Sequence, residues 1–287
     1  MTDSPAALPF RRTGPARPSS PVVLSVPHAG RSYTDALLRS SRLPLTTLES
    51  LEDRLVDRLV WRAVANGACA LIADVPRAEI DLNRDEREID PAIVAPAPPA
   101  GSILQSPRSR GGLGLVPSRM AGAGPIWRQR MTAGELRRRI DEVHRPYHET
   151  LEEMLEAARS RHGYAILLDC HSMPARDEHA GTAPIVLGDR YGTSCSPGLV
   201  DAASHAVAAA GLVSGRNAPY AGGYITARHG RPVTGIHALQ IEIDRSLYLA
   251  SDLRSPGPGF DAMAALIASV AAALAFRAAE TEAIAAE

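Results

Sequence analysis

The sequence predicts an α/β protein in three layers, a sheet covered by helices on both faces. Two observations carry this expectation. Short apolar, β-branched runs alternate with longer stretches of helical periodicity. Residues able to bind or catalyse gather just beyond the ends of those runs, where open α/β sheets place their ligands. With 287 residues, the chain is long enough for one large domain of this kind.

Residues 1–20 carry four prolines among scattered Arg and Ser, and read as a flexible N-terminal arm. Residues 21–283 then read as one catalytic domain. Val22–Val26 (VVLSV) is a buried strand by pattern. A helix is expected over 47–66, with Thr46 and Glu49 at capping-box spacing, Leu48, Leu51, Leu55 and Leu59 on one face, and Gly67 after its end. Residues 69–75 (CALIADV) form a second strand. A stretch dense in Pro, Gly and Arg follows over about 76–131, long enough to suggest a functional loop region. A second helix runs from Thr132, with Glu135 completing a capping box, to about His162, and Gly163 closes it. Residues 164–170 (YAILLDC) are a third strand and 184–187 a fourth. Pro197 and Gly211 bracket another helix, 236–243 is a further strand, and 260–276 is an alanine-rich packed helix rather than a membrane span.

Composition removes whole classes of chemistry. All 31 cations are arginine, because the chain contains no lysine. No P-loop lysine, kinase lysine or Schiff-base lysine is available. A net charge of −1 argues against nucleic-acid binding by bulk charge. Three cysteines (Cys69, Cys170, Cys195) without C-x-x-C spacing indicate neither a disulfide framework nor a zinc ribbon. With no apolar signal segment at the N-terminus, a cytoplasmic protein without membrane partners is the expectation.

The chemistry then falls to histidines, carboxylates and arginines. His28 follows the first strand and His171 follows the third. A parallel sheet brings two such positions together, and neutral imidazoles there are the usual ligands of a catalytic zinc ion. A third ligand should be a carboxylate or another histidine, and Asp53 is the best candidate, with Glu52 as its rival. Asp53 and Asp57 share a face of the expected helix. In 237–245, Gln240, Glu242 and Asp244 alternate with Leu239, Ile241 and Ile243, which suits Glu242 to general acid–base work. Asn83 and Arg84 offer an amide and a fixed guanidinium for a substrate carboxylate. The segment 217–226 (NAPYAGGYIT), with Asn217 and Tyr220, reads as a binding loop, and Arg228 lies just beyond it. Cys170 ends an apolar strand beside Asp169, a poor setting for a thiolate nucleophile.

The ordered motifs SVPHAGRSY, EDRLVDRLV, EIDLNRDERE, HRPYHETL, LLDCHSMP, IVLGDRYGTSC, NAPYAGGYIT and HALQIEIDRSLY closely resemble the N-formylglutamate amidohydrolase family over about residues 21–250. The family resembles a branch of the zinc carboxypeptidase and aspartoacylase superfamily. The resemblance implies a single α/β/α domain on a mixed, mostly parallel sheet of the carboxypeptidase/phosphorylase-hydrolase type. It also implies metal-dependent hydrolysis, with zinc or another divalent ion, of the N-formyl or short N-acyl amide of a small acidic amino acid such as N-formylglutamate, giving formate and the free amino acid. His28 and His171 match metal histidines, Glu242 the catalytic carboxylate, and Asn83 and Arg84 a substrate-anchoring pair. The superfamily's His-x-x-Glu motif has Arg31 in its last place here, so the acidic ligand must come from elsewhere. The alternatives are a carboxypeptidase-like or aspartoacylase-like hydrolase of another acylated amine, or a non-catalytic metabolite-binding relative.

Overall fold

A computed structural model describes residues 8–175, 181 and 183–285. Seven strands make one sheet: β1 (Phe10–Thr13), β2 (Val22–Val26), β3 (Cys69–Ala73), β4 (Ala165–Met173), β5 (Ile185–Gly188), β6 (Ser214–Arg216) and β7 (Ile236–Asp244). Their order across it is β1-β3-β2-β4-β7-β5-β6. The neighbours β3, β2, β4 and β7 are parallel. β1 adds antiparallel to β3, β5 adds antiparallel to β7, and β6 runs parallel to β5. The sheet is mixed and mostly parallel, as expected.

The helices large enough to build layers are α1 (Asp35–Ser40), α2 (Trp61–Ala65), α3 (Ala133–Arg139), α4 (Arg145–His162), α5 (Pro197–Ala209), α6 (Tyr224–His229) and α7 (Phe260–Ala285). α2, α5 and α7 cover one face, packing on Leu24, Leu168, Cys170, Leu239 and Ile241. α1, α3, α4, α6 and much of 76–131 cover the other, over Val23, Leu167 and Ala238. β4 is buried at every position, and its first four residues give the continuous apolar run of a central parallel strand. A 20-residue stretch of α7 is long and apolar enough to cross a membrane by length and composition, yet half of it is buried against this protein.

The sheet sets up the site by a change of composition along its second face. β4 presents Ala165 and Leu167 there, then Asp169 and His171. β7 presents Ile236 and Ala238, then Gln240 and Glu242. In register, Gln240 stands beside Asp169 and Glu242 beside His171. Each apolar start anchors the strand, and each polar end delivers two functional side chains.

Several elements differ from expectation. Phe10–Thr13, placed by sequence in the N-terminal arm, is the edge strand β1, because Phe10 is buried edge-on against Tyr147. β4 continues through His171 to Met173, so this histidine stands within the strand rather than after it. The helix expected over 47–66 is broken. Glu52 is extended and Leu55 has φ +63°, while the backbone N–H of Asp53 donates to His28 O at 2.9 Å. The break turns Asp53 inward, and Asp57 pairs instead with Arg31 and Arg11. The cap expected at Thr46 falls at Pro44, without a side-chain bond. The long helix 132–162 starts at its Thr132 cap and closes at Gly163 (φ +83°), but is interrupted by a π-turn over Ile140–His144.

Candidate metal centre and active site

His28 leaves β2 through a turn that admits only glycine at position 30, where a Cβ would meet Val75 O at 1.9 Å. His28, Asp53 and His171 are all buried and offer ligand atoms within 4.8 Å of one another. His171 Nδ1 lies 2.9 Å from Asp53 Oδ2, and His28 Nδ1 lies 3.3 Å from the same oxygen. The other ring nitrogens face separate carboxylates: His28 Nε2 lies 2.7 Å from Asp81 Oδ1 and His171 Nε2 lies 2.9 Å from Asp169 Oδ2. The ring centroids are 4.8 Å apart.

Proton counting tests whether this set suits a cation. A neutral imidazole has one N–H, so it satisfies only one of the two carboxylates it faces. With nothing between them, both buried rings need two protons each, side by side. A divalent cation on the Nδ1 side removes that demand, and Asp81 and Asp169 then accept from the Nε2–H groups, the usual outer support of metal-bound histidine. Two imidazoles and one carboxylate are a common donor set for catalytic zinc, whose ~2.0–2.2 Å bonds put tetrahedral ligand atoms about 3.3–3.6 Å apart. The residues fit the metal.

The electrostatics agree. Burial alone would raise the Asp53 carboxyl, but hydrogen bonds and charge from His171 and His28 hold it well below the usual carboxylate range. Burial would lower His171, and Asp169 with Asp53 overrides it and pushes the ring well above the ordinary imidazole value. Asp81 is likewise raised by burial yet held well below normal by Arg77, Arg84 and His28. Glu242 goes the other way: burial pushes it up to about 7. Glu52 is excluded from the cluster, since Tyr33 OH donates to its Oε1 at 2.7 Å and Arg54 to its Oε2 at 2.8 Å.

A cavity of about 190 Å³ opens onto the cluster, lined by His28, Asp53, His171 and Glu242 together with Asn83, Arg84 and Tyr220. A wider groove of about 760 Å³, beside Trp127 and Arg139, holds none of these residues. Glu242 is oriented by Gln240, whose Nε2 donates to its Oε1 at 2.8 Å. Gly223 N donates in turn to Gln240 Oε1 at 2.9 Å. Gly223 is needed there, because a Cβ would meet the Asn83 amide at 2.3 Å. Asn83 Oδ1 accepts from Ile225 N at 2.8 Å, and its Nδ2 lies 3.2 Å from His171 Nε2. Arg84 is buried, with Nε donating to Leu113 O and Nη1 to Asn83 O, while Nη2 has no hydrogen-bond partner.

Two expected residues stand elsewhere. Asn217 and Arg228 do not line the cavity. Asn217 Nδ2 donates to Asp189 Oδ1 at 2.6 Å and its Oδ1 accepts from Asp189 N at 3.0 Å, a structural clasp at φ +60°. Arg228 donates to Tyr224 OH, because 224–229, read as part of a loop and its flank, is helical. We therefore expect Asn217→Ala to destabilise the fold by about 1–3 kcal/mol, because the buried Asp189 Oδ1 loses its side-chain donor while Arg216 still holds Oδ2, without a change in substrate KM. Paired denaturant melts and steady-state kinetics check this.

Residues without an expected role complete the site. Arg77 lines the cavity and donates through Nε to Asp81 Oδ2 at 2.9 Å. Arg245 donates to Ser172 Oγ at 3.1 Å, to Asp53 Oδ1 at 3.3 Å and to Glu52 O, so it holds the broken segment in place. Beneath Asn83 and Arg84 lie three buried histidines. His144 Nε2 donates to Arg84 O at 2.8 Å and His148 Nε2 to Leu82 O at 3.0 Å, while His148 Nδ1 accepts from His229 Nε2 at 3.0 Å. Burial lowers all three, His229 to about 3, so they stay neutral. Cys170 faces the opposite core, and burial pushes its thiol well up, which removes it as a nucleophile.

Comparison with known proteins decides the family. The family profile described as N-formylglutamate amidohydrolase matches residues 20–249. The chain belongs to the N-formylglutamate amidohydrolase family. Among relatives of this family, N-formylglutamate deformylase of Pseudomonas putida is 32% identical over 240 residues, 80% of this chain and 82% of that protein. The Pseudomonas aeruginosa protein of the same name is 32% identical over 239 residues, with the same coverage. The crystal structure of N-formylglutamate amidohydrolase from Ralstonia eutropha JMP134 superposes with a TM-score of 0.85 at 33% identity, covering 96% of this chain and 99% of that one. An Agrobacterium tumefaciens structure shares the fold at 18% identity, with a TM-score of 0.62 over 98% of this chain and 97% of that one.

Proposed function

We propose that this protein is a cytoplasmic, metal-dependent amidohydrolase that cleaves N-formylglutamate, or a close N-formyl amino acid, to formate and the free amino acid. The observation that carries the reading is the convergence of both His Nδ1 atoms on one Asp53 oxygen, with Glu242 beside His171 on the next strand. Relatives that are 32% identical over most of their length bear the name N-formylglutamate deformylase, which supports the same substrate.

His28, Asp53 and His171 would hold the divalent cation, zinc by its donor set. When bound, it supplies Lewis acidity toward the formyl oxygen and makes a nearby water acidic enough to react at neutral pH. Glu242 takes the proton from the water that attacks the formyl carbon. It returns a proton to the amide nitrogen as the C–N bond breaks, releasing formate and the amine. Gln240 keeps the Glu242 carboxylate pointed at that water. Arg77 places a fixed positive charge where the carbonyl oxygen becomes anionic. Arg84 meets a substrate carboxylate with its unpartnered Nη2, Asn83 braces the neighbouring wall, and Tyr220 closes the side of the cavity.

A cavity of about 190 Å³ favours a small acyl group. Formate, acetate or peptide product release should be compared for N-formyl-, N-acetyl- and peptidyl-glutamate at equal concentration. The N-formyl substrate should turn over fastest, and faster cleavage of the acetyl or peptide substrate would overturn the proposal.

The histidines behind the Asn83–Arg84 turn give a graded prediction. His144→Leu leaves the Arg84 carbonyl unpaired and should raise KM about tenfold with kcat little changed. His144→Gln, whose amide can donate to the same carbonyl, should recover most of the loss. A larger fall in kcat than in 1/KM would show that His144 does more than position Arg84.

A further inference from the structure

The cavity carries more positive charge than its own carboxylates match. Arg77, Arg84, Arg108 and Arg245 all line it. Arg77 is paired with Asp81 and Arg245 with Asp53. Arg84 lies 3.8 Å from Asp81 through a nitrogen that has no hydrogen bond. Arg108 has no carboxylate partner among the described residues, and its guanidinium lies 5.9 Å from the centroid of the Tyr220 ring. Arg108 faces the cavity without an anion and Arg84 has only this long approach to Asp81, and each guanidinium is shaped for a carboxylate.

The two stand at different depths. Arg84 is only 3% exposed and follows Asn83, whose amide approaches His171. That depth suits a carboxylate on the carbon bearing the scissile nitrogen. Arg108 is exposed at the mouth, where the far end of a longer side chain would arrive.

Its backbone is firmly held. The turn Pro107–Arg110 is capped reciprocally by Ser106 and Ser109, and Ser106 Oγ donates to Glu88. Leu113 N donates to Arg108 O at 2.8 Å, while Leu113 O accepts from Arg84 Nε at 2.9 Å, so one residue links both arginines.

We infer that Arg108 reads the side-chain carboxylate of the substrate and is the residue that separates N-formylglutamate from its uncharged analogues. Within the Pro/Gly/Arg-rich segment, this selection is what Arg108 adds to the wall already formed by Arg77, Asn83 and Arg84. The inference rests on the hydrolase reading above.

The test compares kcat/KM for N-formylglutamate and N-formylglutamine, which differ in charge but hardly in shape, in wild type, Arg108→Leu and Arg108→Lys. Wild type should prefer glutamate about 100-fold, and Arg108→Leu should bring the ratio below about fivefold, chiefly through KM for glutamate. Arg108→Lys keeps the charge without the fork and should fall between. A ratio in Arg108→Leu equal to that of wild type, or a wild-type ratio near one, overturns the assignment. Failure of the hydrolase reading looks different: wild type then releases formate from neither substrate.

Discussion

Glu242→Gln is expected to lower kcat about 1000-fold while KM and cation content stay near wild type, because the change removes proton transfer and little else. The amide has nearly the shape of the carboxylate and can still meet Gln240, which now donates to Glu242 Oε1 at 2.8 Å. The pH profile gives an independent check. Burial pushes Glu242 up to about 7, and the role as base needs the ionised form. Activity should therefore rise with pH as Glu242 loses its proton. The acid limb should lie at or below pH 7, since a cation beside His171 favours the carboxylate. In Glu242→Gln that limb should vanish from the residual rate. An unchanged limb in the variant would assign it to another group.

The second large effect concerns the cluster itself. His171→Ala removes one of the three candidate ligands and should weaken zinc binding by more than the 10–100-fold typical of losing an outer hydrogen-bond partner. Asp169→Asn should cost about that smaller amount, since it disturbs only the support at His171 Nε2. Calorimetric titration of zinc into metal-stripped protein separates the two without reference to turnover. Equal affinities in wild type and His171→Ala would exclude this histidine as a ligand.

The sequence made some of this site legible for clear physical reasons. His28 and Glu242 stand at or near the ends of strands whose apolar pattern is unambiguous, so their place in the sheet followed from strand order. His171 was expected just beyond its strand and stands within it, because polar residues on the site-facing side mask the continuation of β4. Asp53 was reached by chemistry rather than by pattern. The leucines at 48, 51, 55 and 59 keep helical spacing straight through the break, and only the left-handed Leu55 shows that Glu52 and Asp53 part company. Asn217 was misplaced because polar and glycine-rich composition marks a loop without saying which way its side chains turn. Arg77, Arg108 and Arg245 carried no signal of their own in a chain with 31 arginines and no lysine. The place of Arg245 depends on Asp53, a partner far away in sequence.

The most direct test is the metal content of the purified protein before and after chelation, read with formate release on the same samples. One equivalent of bound metal, lost on chelation together with activity and regained with zinc, is the predicted result, and it should be absent from a His28→Ala/His171→Ala variant. Chelated protein that holds no metal and still releases formate at the full rate would contradict it.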